Sequence, residues 1–347
     1  MSKLDQLYEF RLATVADIDS IMDFYKREWN PNHILATDRD FFCYQHQNGD
    51  AVNFMLAINR DTGQIEGAEG FIQYSKQLLD IGAVMWKVSA STKVPFLGVE
   101  VVKRLKQATG CRVYLGPGAN PKTAVPLHQK MLKHLVGKLE HYYLLSDNTE
   151  FKIASIKEKR AVPCRSEAGP TQLKPISDIK ELDGKFIYQD LINRKPFKDR
   201  WYIERRYFNY PIYAYKRYAV VGENDQISAL VFAREVSQNS ATILRIVDLI
   251  GDPGALATLH QEWLRLIKEN HYEYIDFYCK GIDQQTLQQG GFVHKDETDP
   301  NILPNYFEPF LQQNIDIWYS LSDEDTVLFK GDGDQDRPNS RLGAKIA

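Results

Sequence analysis

The chain has 347 residues, of which 43% are apolar and 26% are charged, and its formal net charge is −3. This composition is typical of an ordered globular protein and excludes a mainly disordered chain, while the length favours two domains over one. The near balance of 43 basic and 46 acidic residues excludes a general electrostatic affinity for nucleic acid or for anionic membranes.

No run of eighteen apolar residues occurs, and the first eight residues lack the apolar stretch of a secretory signal. We therefore expect a cytoplasmic protein without a membrane span. The four cysteines are scattered and form no Cys-x-x-Cys pair, which favours free thiols in a reducing compartment. The histidines show no His-Glu-x-x-His pattern, so no metal site is expected.

The first half of the chain alternates predicted strands and helices. A strand is expected over 8–13, and Thr14 then precedes a helix whose apolar residues recur at helical spacing. The next predicted elements are a helix at 40–46, strands at 53–59, 65–74 and 83–90, a helix at 99–107, a strand at 111–115 and a helix at 124–139. The resulting order is β-α-α-β-β-β-α-β-α.

This periodicity disappears in the middle of the chain, where Pro163, Pro170 and Pro175 fall among charged and small residues. We place the junction between two domains there. The predicted division is a first domain at 1–150, a linker at 151–175, a second domain at 176–321 and a polar tail at 322–347.

The second half repeats the broad order of elements. Its predicted elements are a helix near 177, an aromatic-rich segment at 200–218, strands at 218–221, 227–236 and 242–250, a helix at 256–270, a strand at 274–279, a helix at 283–290 and a strand at 315–320. The order fits a diverged tandem duplication. It predicts an α/β fold with two domains, each a mixed, mostly antiparallel sheet flanked by helices.

The segment 86–100 combines a strand, a turn and a helix, with Lys93 five residues before Gly98. A helix start exposes unpaired backbone N–H groups and a positive dipole end, which suits a pyrophosphate. An ordinary strand-to-helix turn with a packing glycine is the structural alternative.

Downstream, Ala124, Leu127 and Lys130 stand at the spacing A-x-x-L-x-x-K, with His128 after the leucine. Together with the order of elements, this pattern resembles the GNAT acyltransferases, which have an R-x-x-G-x-G/A loop and a helix of the form N-x-x-A-x-x-L-Y-x-K-x-G-F. The sequence departs from that pattern by having Phe96 at the middle glycine of the loop and by lacking the terminal Gly-Phe.

The resemblance implies an acyl-CoA donor site in the first domain. It also implies direct attack of an amine on the thioester, with His128, at the family's tyrosine position, protonating the leaving thiolate. The residues expected to form the cofactor site are Val88, Ser89, Lys93, Phe96, Leu97, Gly98 and Asn120, with a backbone N–H of Val88 or Ser89 holding the oxyanion. Glu69 and Asp80 are the candidates for accepting the proton of the amine. A packing role for His128 is the alternative.

The second domain lacks a basic residue in its corresponding turn at 251–254, so we expect its donor loop to be degenerate and the domain to contribute to the acceptor site. The segments 198–207, 245–248 and 329–339 resemble the tandem GNAT-like sugar N-acyltransferases of surface-polysaccharide (O-antigen or capsule) biosynthesis. This resemblance implies a nucleotide-linked amino-deoxy sugar as acceptor, with dTDP as the expected nucleotide, and 3-hydroxybutanoyl-CoA as one candidate donor.

The expected contacts to this substrate combine aromatic rings with guanidinium groups, which match phosphate oxygens. They are Trp201, Arg205, Arg206 and Asp248 from the second half, and Trp29 and His33 from the loop after the first helix. The alternative is that the aromatic side chains form ordinary core and that the arginines are solvated.

The tail has aspartates at 332, 334 and 336 but lacks the glycine and glutamate of an EF-hand loop, so a solvated acidic tail is expected. Two other functions remain open at this point. One is a tRNA-dependent aminoacyl transferase of the peptidoglycan type, and the other is a non-catalytic binding protein of the same fold. No sequence feature indicates the oligomeric state.

Overall fold

A computed structural model of the protein describes residues 3–164 and 171–340. Its strands are β1 Tyr8–Thr14, β2 Gln47–Asn48, β3 Ala51–Asn59, β4 Ile65–Gln73, β5 Asp80–Val88, β6 Val113–Pro117, β7 Leu135–Lys138, β8 Glu140–Leu145, β9 Gln172–Pro175, β10 Lys216–Val221, β11 Ile227–Gln238, β12 Ala241–Gly251, β13 Tyr274–Lys280, β14 Val293–His294, β15 Tyr306–Phe307, β16 Phe310–Leu311, β17 Trp318–Leu321 and β18 Leu328–Phe329.

The helices are α1 Lys3–Leu7, α2 Ile18–Glu28, α3 Ile34–Thr37, α4 Arg39–His46, α5 Leu97–Thr109, α6 Ala124–Leu127, α7 Arg200–Ile203, α8 His260–Asn270 and α9 Gln284–Gln289. Short 3₁₀ segments cover Val15–Asp17, Ile179–Leu182, Tyr188–Leu191 and Pro253–Thr258, and π-helical turns cover His128–Leu132 and Glu204–Phe208.

The first sheet has the order β1-β3-β4-β5-β6-β17-β7, with β2 paired to β3. Its neighbouring strands are antiparallel except β5 and β6, which run parallel. Helix α5 covers one face because Val101, Val102 and Leu105 recur at helical spacing and are fully buried. Each such side chain contributes roughly 1.5–3 kcal/mol through its burial. Helices α2, α3 and α4 cover the other face.

The second sheet repeats this arrangement with the order β9-β10-β11-β12-β13-β8-β14. Here β12 and β13 form the parallel pair, and α8 packs Trp263 and Leu266 onto one face. The other face packs on aromatic residues of segment 202–215, in a cluster that also includes Val113 and Leu115 of β6. The predicted fold class is confirmed, since each half contains a mixed, mostly antiparallel sheet flanked by helices.

Each half of the chain supplies one strand to the sheet of the other half. Strand β17 from the second half lies between β6 and β7 of the first sheet, and β8 from the first half lies between β13 and β14 of the second sheet. The chain crosses between the sheets at Leu139, whose N–H donates to the carbonyl of Ile317. This reciprocal exchange ties the two halves together through backbone hydrogen bonds.

The exchange changes two expectations about domain organisation. Residues 140–145 were assigned to the first domain at 1–150, but they pair in the second sheet, and the strand predicted at 315–320 pairs in the first sheet as β17. The reason is that strand pairing between distant segments is decided by tertiary packing and leaves no local signal. Part of the predicted linker is also ordered, because Ile153 and Ala154 are buried, while its residues 165–170 lie outside the described residues.

The helix predicted over 124–139 is wrong in its second half. The helical backbone ends at Lys133, which adopts a left-handed conformation with φ 59°, and β7 follows at once. A non-glycine residue in this conformation cannot continue a right-handed helix.

The solvated tail is also a wrong prediction for the described residues up to 340. Lys330, Asp332 and Asp336 are 4%, 0% and 1% exposed, so these charges lie in the interior. Asp332 pairs with buried Lys198 at 2.7 Å. Acidic residues are retained in an interior when cations and hydrogen bonds compensate them, which the sequence pattern alone does not reveal. Residues 341–347 lie outside the described residues.

Because of the strand exchange, we expect neither predicted domain to fold alone. Fragment 1–150 lacks β17 and exposes β8, so it should show no cooperative unfolding transition in circular dichroism. Co-expressed fragments 1–164 and 171–347 retain every described strand and should co-purify. Cooperative unfolding of isolated fragment 1–150 would contradict the exchange.

Candidate functional site

The central parallel strands of the first sheet separate after a short contact. Strands β5 and β6 pair only from Asp80 to Gly82, and beyond Gly82 they diverge. A β-bulge lies just beyond, where Met85 has φ 56° and two residues of β5 face Glu69 of β4. We call the gap between β5 and β6 the first splay.

At the first splay, one backbone N–H group of β5 is not hydrogen-bonded to β4. Ser89 donates its N–H to the carbonyl of Glu66 at 2.8 Å, so these two residues form a hydrogen-bonded antiparallel pair. The neighbouring pair of Gly67 and Val88 is then of the non-hydrogen-bonded type. The N–H of Val88 therefore points away from β4 and toward the splay, whereas the N–H of Ser89 is already used.

Helix α5 begins beside the splay. The first N–H groups of a helix have no intrahelical partner. At the start of α5 no side chain caps them either. Phe96, immediately before the helix, adopts a left-handed conformation with φ 61°, and its side chain is 59% exposed. This left-handed region is the one that glycine adopts without steric cost.

The remaining predicted cofactor residues lie around this turn. Leu97 is buried in the core, Lys93 is exposed, and Asn120 accepts the N–H groups of Lys122 and Thr123 in the turn before α6. A Cβ atom on Gly98 would lie 3.0 Å from Val88 and 3.1 Å from Trp86. Gly98 is therefore required for close packing of the helix on β5.

His128 lies beside the splay in a buried chain of three polar groups. Its Nδ1 is 3.1 Å from Nδ1 of His134, and Nε2 of His134 is 3.0 Å from Nζ of Lys106. Burial lowers the pKa of His128 to about 4 and that of His134 to about 3, so both rings are neutral near pH 7.

The hydrogen-bond donors fix the tautomers in this chain. A lysine ammonium only donates, so Nε2 of His134 accepts from Lys106 and the proton of His134 is on Nδ1. That proton is donated to Nδ1 of His128, which places the proton of His128 on Nε2. His128 therefore presents an N–H donor at the end of the chain.

Glu69 and Asp80 are both fully buried, and Oε2 of Glu69 has no hydrogen-bond partner among the described residues. Glu69 is fully buried beneath α5 and accepts a 2.6 Å hydrogen bond from Tyr114, and burial raises its pKa to about 8, so it is protonated near pH 7. Asp80 is fully buried, binds Arg112 through both carboxylate oxygens at 2.9 and 2.6 Å, and accepts the N–H of Phe197. Asp80 is thus held in an ion pair and Glu69 is mainly protonated near pH 7, and a role of either carboxyl group as proton acceptor stays a prediction.

The equivalent gap in the second sheet is filled by the chain itself. Strands β12 and β13 pair only from Leu244 to Ile246, and β18 takes the place of β12 beside β13. Gly331 then donates its N–H to the carbonyl of Val247 at 2.8 Å. A Cβ atom on Gly331 would lie 2.6 Å from that oxygen, so only glycine fits. This second splay is closed by backbone hydrogen bonds, and we call residues 328–339 the tail strap.

The tail strap continues past the first splay without such bonds. Gly333 approaches Pro117 of β6 and the carbonyl of Ala83. Among residues 3–164 and 171–340, no backbone hydrogen bond of the strap connects β5 to β6. Within the described residues, backbone hydrogen bonds of the tail strap therefore bridge the second splay but not the first.

A pocket lies between the two halves, on the face of the first sheet opposite α5. It contains three of the predicted substrate contacts, Trp201, Arg205 and Arg206, and also Arg337 from the tail strap. Five amide side chains line it: Gln45, Gln47, Asn48, Asn53 and Gln73.

The other predicted substrate contacts lie elsewhere. Asp248 is fully buried and binds Lys198 at 2.7 Å and Tyr207 at 2.6 Å, so it is held in an interior ion pair. Trp29 is 49% exposed at the end of α2. His33 is buried and caps α3 through Nδ1, while its Nε2 lies 2.8 Å from Arg337.

Sequence reasoning missed Arg337, Lys106 and His134. His134 follows His128 by six residues, a spacing that puts side chains on opposite sides of an α-helix, and only the left-handed end at Lys133 brings the rings together. Arg337 was overlooked because the acidic tail around it indicated solvent exposure.

Within the described ranges, no helix has the length and hydropathy needed to cross a membrane. No three His, Cys, Asp or Glu side chains of the described residues are grouped so that they could hold a metal ion.

No protein-family model matches the chain, and no curated protein is significantly similar to it in sequence. Solved structures do match. A GCN5-related N-acetyltransferase from Anabaena variabilis ATCC 29413 gives a TM-score of 0.52 at 11% identity, over 90% of this chain and 72% of that one. A conserved protein of Enterococcus faecalis V583, described as a probable N-acyltransferase, gives 0.52 at 9% identity, over 92% and 73%. At these identities the likeness establishes a shared fold.

The strained turn at Phe96 leads to a stability prediction. Replacing Phe96→Gly removes the cost of a left-handed non-glycine residue, roughly 1–2 kcal/mol, and adds a glycine entropy cost of roughly 0.5–1 kcal/mol. We expect the free energy of unfolding in urea to rise by up to about 1 kcal/mol. Phe96→Ala keeps the Cβ atom and the strain, so it is the matched control and should not stabilise. Equal effects of the two substitutions would argue against strain at this position.

Proposed function

We propose that this chain is an acyl-CoA-dependent N-acyltransferase, with the donor in the first splay and an amine acceptor reaching it from the pocket between the two halves. The acceptor that we propose is a nucleotide-linked amino-deoxy sugar of surface-polysaccharide biosynthesis, with dTDP as the nucleotide. The single observation that carries this proposal is the difference between the two splays, one bridged by the chain's own backbone and one not.

The unbridged splay supports donor binding because it offers unpaired backbone donors. The N–H of Val88 faces the gap, and the uncapped start of α5 lies beside it. An extended thioester arm can pair with such a strand edge, and a pyrophosphate is stabilised by a helix start. The exposed Lys93 adds a positive charge near that turn.

The proposed reaction is direct attack of the amine nitrogen on the thioester carbonyl. The new C–N bond forms, the C–S bond breaks, and the N–H of Val88 stabilises the oxyanion of the tetrahedral intermediate. The Nε2–H of His128 protonates the departing thiolate while Nδ1 of His128 takes the Nδ1 proton of His134 and Nε2 of His134 takes a proton from Lys106. Both imidazoles stay neutral in this relay, and Lys106 is left as a neutral amine. A sugar amine that titrates at roughly 8 is partly neutral at physiological pH, so its excess proton can pass to water after attack.

The proposed function is tested by measuring thiol release with a panel of acyl-CoAs, including 3-hydroxybutanoyl-CoA, against dTDP- and UDP-linked amino sugars. Mass spectrometry of the product should show an acylated nucleotide sugar. The matched control is the corresponding sugar with a hydroxyl in place of the amine, which should release no thiol above background. The proposal fails if no acyl-CoA gives an acylated product with any of these acceptors.

The role of His128 can be tested by comparing two ring substitutions of similar size. His128→Phe removes the proton donor, and we expect turnover to fall about 100-fold. His128→Tyr restores a hydroxyl at the position where the family has tyrosine, and it should retain turnover within about tenfold of the unmodified protein. Thermal unfolding of both variants checks that they fold. Equal turnover of the two variants would mean that the residue packs and does not donate a proton.

A further inference from the structure

The guanidinium group of Arg205 lies at the pocket and has no anionic partner among the described residues. Its side chain is half-buried, with its charge centre 4.7 Å from the ring of Tyr44 and 5.6 Å from that of Trp201. Among the described residues no carboxylate pairs with it. A desolvated arginine held between two rings is oriented by cation–π contacts and still has its N–H donors available.

Arg337 independently points to an anion in the same pocket. Its side chain is 6% exposed, and its Nε is buried without a hydrogen-bond partner in the described part of the chain. Its other nitrogens contact His33 at 2.8 Å, Asp334 at 3.2 Å and the sulfur of Met85 at 3.6 Å. A buried donor left unsatisfied is costly, so an acceptor from a ligand would relieve this cost.

Arg206 does not share this character, although the sequence presents it as the partner of Arg205. One terminal nitrogen of its guanidinium donates to Asp336, through the carbonyl at 2.9 Å and the carboxylate at 3.3 Å, and the other donates to the hydroxyl of Tyr215. Asp336 also pairs with Arg234 at 3.1 Å. The guanidinium groups available to a ligand are therefore those of Arg205 and Arg337.

The rest of the pocket suits the remainder of a nucleotide. Amide side chains supply both donors and acceptors, which the edge of a base or a sugar requires, and Tyr44, Trp201 and Tyr210 add aromatic surface.

We infer that Arg205 and Arg337 form a diphosphate-binding site in this pocket and hold the phosphates of a nucleoside diphosphate or its sugar ester. This inference rests on the proposed function and names the group by which the acceptor is recognised. Because Arg337 belongs to the tail strap, the strap that closes the second splay also completes the anion site.

The inference is tested by calorimetric titration of the full-length protein with dTDP, without any acyl-CoA. The variants are Arg205→Gln and Arg337→Gln, and the matched control is Arg265→Gln, whose side chain lies on the exposed face of helix α8 and pairs with Glu262 and Glu269. We expect each pocket variant to weaken dTDP binding about tenfold or more, because a hydrogen bond to a charged group is lost. Thymidine, which lacks phosphates, should bind at least tenfold more weakly than dTDP.

Arg337→Gln can also loosen the tail strap, so its melting temperature without ligand is measured first. Arg205 has no buried partner to leave behind, and its variant tests the site even if the Arg337 variant is unstable. Unchanged dTDP affinity in Arg205→Gln, or thymidine that binds as tightly as dTDP, overturns the inference.

The outcomes also separate this inference from the proposed function. Arginine-dependent dTDP binding without acyl transfer would support the anion site and refute the enzyme. Acyl transfer whose KM for the nucleotide sugar is the same in Arg205→Gln and in the unmodified protein would support the enzyme and refute the anion site.

Discussion

The structure depends on the need of buried backbone groups for hydrogen-bond partners. Both sheets create the same deficit, because their parallel central strands pair over three residues and then diverge past a β-bulge. In the second sheet the deficit is filled by β18 and Gly331. In the first sheet the carbonyl of the bulge residue Met85 accepts from the hydroxyl of Tyr25, and Val88 still directs its N–H into the gap. Because of this asymmetry, the first half is the candidate for donor binding, whereas the gap in the second half is already filled by the chain.

The tail strap connects this backbone constraint to buried electrostatics. Lys198 lies between Asp248 and Asp332, at 2.7 Å from each, and all three side chains are buried. The two carboxylates raise the pKa of Lys198 against the opposing effect of burial, while burial raises the pKa of Asp332 to about 6. Removing one member of such a cluster leaves an uncompensated buried charge. The cluster therefore holds the strap in the second splay and, with it, Arg337 at the pocket.

The strand exchange gives the pocket between the halves a fixed geometry. Strand β8 of the first half belongs to the second sheet, and strand β17 of the second half belongs to the first sheet. The aromatic cluster of segment 202–215 packs against β6. Sites between loosely linked domains change shape when the domains move, whereas here backbone ladders cross the junction in both directions. Arg205 and Arg337, which come from distant parts of the sequence, are thus held on the same pocket.

The sequence by itself determined the elements that local patterns encode: the alternating strands and helices, the α/β class with two similar halves, and the strand-turn-helix segment at 86–100. Trp201 and Arg205 were also recognisable, since an aromatic–basic cluster is a local feature. Only the tertiary structure decided which sheet β8 and β17 join, that the buried carboxylates of Asp80 and Asp248 form ion pairs, that His134 meets His128, and that the aspartates at 332 and 336 are buried. The physical reason is that these outcomes depend on pairing and charge compensation between residues far apart in the chain, and a backbone or side-chain partner that is distant in sequence leaves no mark on the local pattern.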